Sequence, residues 1–252
     1  MKHTRGLTVL LTTLLVLGSF IGWWNHRWTV LNNLRVPQTR TATLFLPGTH
    51  GAWLSLRSMV TSLNRPHVGT FALTARVTWN GHVTWQQHQS VGRNNPLIPV
   101  IFKDNTHPQK QARQLATVLT QLHRRYGIDR VNFVGHSSGG TIAYDYLNDH
   151  APAPVAVARI VMVGADFPER TRLADRYSEL KILNIAGVIG RTGNDSEVPA
   201  NTVPPLRRLV AGRVGQYRFE AFTGPVWDTQ HSLLHENPTL DAKLMRYLYP
   251  PS

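Results

Sequence analysis

The chain has 252 residues, enough for one large domain with a sizeable core, and 42% hydrophobic residues with 16 prolines and 19 glycines exclude extended disorder. It contains no cysteine, which excludes disulfides, thiolate metal sites and cysteine nucleophiles and leaves Ser and Thr as candidates. The formal charge of +13 suits an anionic partner, yet no zinc-finger spacing, RNA-recognition signature or heptad-bearing basic region accompanies it, so nucleic acid is not expected.

Lys2, His3 and Arg5 precede an uncharged run from Gly6 to Trp24 that includes Leu7, Leu10, Leu14, Leu17, Phe20 and Ile21. A run of roughly twenty residues just reaches across a hydrocarbon core, and Trp23, Trp24 and Trp28 stand where an aromatic belt would meet the headgroups. The competing reading is a cleaved signal peptide, for which Gly18 and Ser19 are suitably small but the following Trp23 and Trp24 are bulky. Residues 1–36 are therefore expected to be an export signal or membrane anchor with a short linker, engaging the membrane through residues 6–24. Residues 37–252 are expected to form the domain, extracytoplasmic and either membrane-anchored or secreted.

Thr41 to Leu46 is a short apolar run ending at Pro47-Gly48, a buried strand feeding a turn. Phe71 to Trp79 and His82 to Trp85 flank Asn80-Gly81, which predicts a hairpin. Leu97 to Phe102 predicts another buried strand, followed by a helix from Pro108 to Tyr126 closed by Gly127. The alternation continues with strands at Arg130 to Val134, Arg159 to Val163, Lys181 to Val188 and Tyr217 to Phe222, and with helices near Gly139 to Leu147, Pro204 to Val210 and Pro238 to Tyr249. Such a β-α-β order predicts an α/β protein with a doubly wound, mostly parallel sheet flanked by helices.

Gly135-His136-Ser137-Ser138-Gly139 fits G-x-S-x-G between the strand Val131-Asn132-Phe133-Val134 and the helix beginning Gly140-Thr141-Ile142. A sharp strand-to-helix turn there projects a serine above the sheet, and the flanking glycines let neighbouring backbone pass closely. Ser137 is the candidate nucleophile. Its hydroxyl needs a base, and the base needs an acid, which in this arrangement follow in the order acid, then histidine. Asp195 lies just beyond the Lys181 to Val188 strand and is the expected acid, with Glu197 and Asp166 as rivals. His231, between the last strand and the final helix, is the expected base, with His235 as its rival. The oxyanion donors are expected to be the amide of Ser138 and that of Thr49, or His50 if the loop is shifted by one.

Several stretches together resemble the α/β-hydrolases of unknown function of Gram-positive bacteria, a group labelled as cell-surface hydrolases. They are Phe45-Leu46-Pro47-Gly48-Thr49-His50-Gly51, Asn95 to Phe102, Asn132 to Gly140, and His231-Ser232-Leu233-Leu234-His235-Glu236-Asn237-Pro238. The resemblance spans most of residues 41 to 249. It implies the α/β-hydrolase fold, Ser137, Asp195 and His231 as the triad, and an export signal ahead of the domain. Pro47 departs from the His usual before the oxyanion glycine, and Ser138 from the Met or Gln common after the nucleophile.

The expected activity is that of a serine hydrolase acting on carboxylic esters or lipid-like acyl substrates at the cell envelope, with no metal or cofactor required. An anionic cell-wall polymer is a further partner the charge would suit. The contrasting expectation is a catalytically silent hydrolase fold that binds such a polymer or a protein.

Overall fold

The computed structural model describes residues 2–149, 154–167, 171–173 and 177–251. In chain order these form helix α1 (Lys2–Arg27), a 3-10 turn (Trp28–Leu31), β1 (Ala42–Leu46), α2 (Trp53–Leu63), β2 (Thr70–Phe71), β3 (Leu73–Val77), β4 (Val83–Gln87), β5 (Pro96–Phe102) and α3 (Pro108–Tyr126). Then follow β6 (Arg130–His136), α4 (Ser138–Asp149), β7 (Ala156–Val163), β8 (Tyr177–Ile189), α5 (Leu206–Val210), β9 (Val214–Gly224), α6 (Val226–Thr229), a second 3-10 turn (His231–Glu236) and α7 (Pro238–Leu248).

The strands build one sheet in the order β4-β3-β5-β1-β6-β7-β8-β9, with β2 beside β5. Every pairing is parallel except the β3–β4 hairpin, whose turn Gly81 closes in the left-handed region at φ +82°. The predicted strand from Phe71 is split, because β2 and β3 each pair with β5 and Ala72 lies between them. All five residues of β1 are buried, as a parallel strand covered on both faces requires.

Helices divide the core between the two faces. Leu115, Leu119 and Leu122 of α3 and Ile142 and Leu147 of α4 pack on one face, against Leu44, Phe133 and Ile160. On the other, Met59 and Leu63 of α2 and Leu244 and Leu248 of α7 pack against Phe45, Val161 and Leu183. Leu31, Leu34 and Val36 join this second cluster. Leaving β1, the chain builds β5 on one side and then returns to build β6 on the other. The carboxyl ends of β1 and β6 therefore flank the crevice of a topological switch point, the usual ligand position in such sheets.

α1 corrects an expectation. The apolar side chains from Leu10 to Ile21 are exposed, but among the described residues no helix is long and apolar enough to cross a membrane, so a spanning anchor is not supported. The helix runs on through the polar Asn25, His26 and Arg27. Its last turn docks on the domain: Arg27 forms an ion pair with Asp228, and Trp23 packs edge-on against Trp227 with ring centroids 5.9 Å apart.

Candidate active site

β6 ends in a backbone turn that few side chains tolerate. Ser137 sits in the left-handed region at φ +53°, a conformation that costs a non-glycine residue about 1–3 kcal/mol and persists only where its surroundings enforce it. The turn is held by the Ser137 amide donating to Val163 O at 2.8 Å and the Gly140 amide donating to Ser137 O at 2.9 Å. The flanking glycines are sterically required. A Cβ on Gly139 would lie 2.1 Å from Leu46 O, and one on Gly135 would lie 2.5 Å from the Gly139 carbonyl. The elbow is thus pressed directly onto the end of β1.

Asp195 and His231 meet over the ends of β7 and β8. His231 Nδ1–H donates to Asp195 Oδ2 at 2.8 Å, with both side chains almost wholly buried. Asp195 Oδ1 accepts from the amides of Val198 at 2.7 Å and Glu197 at 3.1 Å, and the His231 amide donates to Asp195 O at 2.7 Å. Burial works to raise the carboxyl, but the hydrogen bonds from His231 and the two amides outweigh it and hold Asp195 below its usual range, so it is ionised. That charge fixes the imidazole as the Nδ1–H tautomer and leaves Nε2 free to accept a proton.

The rival acids stand elsewhere. Asp166 is exposed beyond β7. Glu197 is more than half exposed and lies 3.7 Å from the other imidazole nitrogen, Nε2, where water screens it. His235 is buried but stacks edge-on against His136, with centroids 4.9 Å apart.

The two expected oxyanion donors lie on adjoining loops. Ser138 is the first residue of α4, so its amide has no acceptor within the helix. Thr49 is joined to it, Oγ1 donating to Ser138 Oγ at 3.0 Å, and its amide has no acceptor among the described residues. The His50 amide is already committed to Asn105 O at 2.8 Å, which favours Thr49 of the two. Among the described residues no group of three His, Asp or Glu side chains could hold a metal.

The family model for alpha/beta hydrolases of unknown function (DUF915) matches residues 33–175 and 171–250. The chain belongs to this family. As a DUF915 α/β-hydrolase it is similar to solved structures of low sequence identity. The lin2722 product of Listeria innocua is 23% identical, with a TM-score of 0.71 over 84% of this chain and 95% of that one. A protein of Lactobacillus plantarum described as a proposed cell surface hydrolase is 22% identical, with a TM-score of 0.66 over 82% and 91%. The RedJ thioesterase of Streptomyces coelicolor is 12% identical, with a TM-score of 0.51 over 83% and 91%. No curated protein matches the sequence.

Two residues of this DUF915 site carry no signal in the sequence pattern. His136, the variable residue of the elbow, is buried and donates from Nε2 to His231 O at 2.9 Å, so that one imidazole positions the loop of the other. Burial, with His231 and His235 adding to it, pushes His136 down to about 3, which keeps it neutral. Gly164, at φ +59°, forms a floor beneath the acid–histidine pair: a Cβ there would lie 3.1 Å from Asp195 Oδ2 and 3.2 Å from His231 Nδ1.

Proposed function

We propose that this α/β-hydrolase is a serine hydrolase of the cell envelope that cleaves carboxylic esters of small or lipid-like acyl substrates. The observation that carries the reading is the buried 2.8 Å contact of His231 Nδ1 with an ionised Asp195, together with a serine held at positive φ just after β6. In the first half-reaction His231 Nε2 takes the Ser137 proton as Oγ bonds to the ester carbonyl carbon. The amides of Thr49 and Ser138 stabilise the tetrahedral oxyanion, which collapses as the alcohol leaves with the proton from His231. Water then repeats the sequence on the acyl-serine and releases the acid. The name of the Lactobacillus plantarum neighbour supports an extracytoplasmic setting, and ester specificity rests on what this fold most often hydrolyses.

The test is intact-mass labelling of the full chain with a fluorophosphonate probe. A single adduct mapping to Ser137, absent in Ser137→Ala and strongly slowed in His231→Ala, is the expected result. Folded wild-type protein that takes no adduct, or takes it at another residue, would overturn the assignment and favour a catalytically silent binding fold.

A further inference from the structure

Away from the elbow, the amino-terminal halves of β7, β8 and β9 and helix α7 enclose a groove of about 690 Å³. Arg159, Lys181, Arg218, Lys243 and Arg246 line it against a single carboxylate, Glu220. Arg218 and Lys243 both pair with that carboxylate. Arg159, Lys181 and Arg246 have no ion-pair partner among the described residues and keep their charge for a ligand.

The sheet dictates the spacing. Arg159 and Lys181 are register neighbours on adjacent parallel strands, and Arg218 is paired with Leu183, two residues beyond Lys181 on the same face. Neighbouring strands stand about 4.8 Å apart and same-face residues about 6.6 Å along a strand, so the cations form a two-dimensional array rather than one pocket. Lys243 and Arg246 face it from α7. The Tyr247 hydroxyl is buried in the same wall, beside the Arg159 side chain. Arg159 lies four residues before the end of β7, which places the array about 13 Å down the strands from the candidate triad.

We propose that this groove binds successive phosphates of a flexible, phosphodiester-linked polymer that carries no aromatic bases. Arg and Lys side chains suit phosphate oxygens. Among the described residues the one aromatic ring on the wall, Tyr247, is overlain by the Arg159 guanidinium, 5.5 Å from its centroid, so bases find no stacking platform there. The concave shape between an edge strand and a helix admits a single chain better than a flat bilayer. The inference stands independently of hydrolysis, since none of these residues touches the triad.

Binding of the full chain to a labelled linear glycerol-phosphate oligomer tests it by fluorescence anisotropy across a salt series. The paired variant Lys181→Gln/Arg246→Gln is expected to bind at least about tenfold more weakly, with a shallower salt dependence. Arg124→Gln/Arg125→Gln, which removes the same charge from exposed positions of α3, is expected to stay within about twofold. No binding by the wild type, or equal losses in both paired variants, overturns the groove. Tighter binding to oligothymidine of equal charge, or to phosphatidylglycerol vesicles, with the same dependence on Lys181 and Arg246, overturns the choice of occupant. Running the series on Ser137→Ala separates the questions: retained binding there with failed probe labelling of the wild type sinks the hydrolase reading alone.

Discussion

Strands β7 and β8 pass through two electrostatic environments within a few residues. At their carboxyl ends one carboxylate, Asp195, is wholly buried and accepts three hydrogen bonds. Toward their amino ends Arg159 and Lys181 stand partly in water with no ion-pair partner among the described residues. The difference teaches which kind of change each region registers. In a desolvated site every donor and every proton counts, because water cannot replace a lost partner. In the solvated groove charges act through their sum, and losing one costs the fold little.

The sharpest way to break this comparison is Asp195→Asn, which keeps the volume but removes the charge that sets the His231 tautomer. Turnover of an activated aryl ester is expected to fall by about 10³- to 10⁴-fold with the fold intact by circular dichroism. A loss below tenfold would show that the pair is merely structural.

Next in size is the pH response of His136. Its folded-state pKa is depressed to about 3, so the unfolded chain takes up the proton more readily. The stabilisation is complete above about pH 6.5, the ordinary histidine value, and drains away as pH falls toward 3. Denaturant melts are expected to lose up to about 5 kcal/mol across that window. His136→Gln is expected to flatten the curve there, and unchanged steepness would locate the acid sensitivity in other groups.

A smaller effect is expected from Gly164→Ala. The new methyl would crowd Asp195 Oδ2 and His231 Nδ1 at a backbone position with positive φ. The variant is expected to lose about 10²-fold in turnover through displacement of the pair, at a stability cost of about 1 kcal/mol. Equal activity would mean that the pair tolerates displacement. Smallest of all, Lys181→Gln/Arg246→Gln is expected to change the unfolding free energy by less than about 0.5 kcal/mol and ester turnover not at all. A substantial loss of either would tie the groove to the site and dissolve the contrast.

The same contrast decides what was legible in the sequence. An apolar run marks the buried stretch of β8 and an alternation of aromatic and polar residues marks the half-exposed β9, so Lys181 to Val188 and Tyr217 to Phe222 are recognisable while the full extents, Tyr177–Ile189 and Val214–Gly224, are not. The halves that escape notice carry polar and charged residues, and they include part of the groove. Helix α2 is not legible because the short segment after the Gly48–Gly51 turn mixes Ser, Thr and Arg with its apolar positions. The elbow is readable since its glycines and serine are contiguous. His136 and Gly164 are not, because their contacts reach His231 across many intervening residues and depend on tertiary placement.

The docking of α1 ties the amino-terminal helix to the segment before the proposed base. Asp228, the residue held by Arg27, stands three positions before His231, and its main-chain carbonyl is gripped by Asn237 Nδ2 at 3.0 Å. The end of α1 is therefore joined, through that ion pair and the Trp23–Trp227 contact, to the segment that leads to the proposed base, whereas the serine elbow is anchored on β6 and β1.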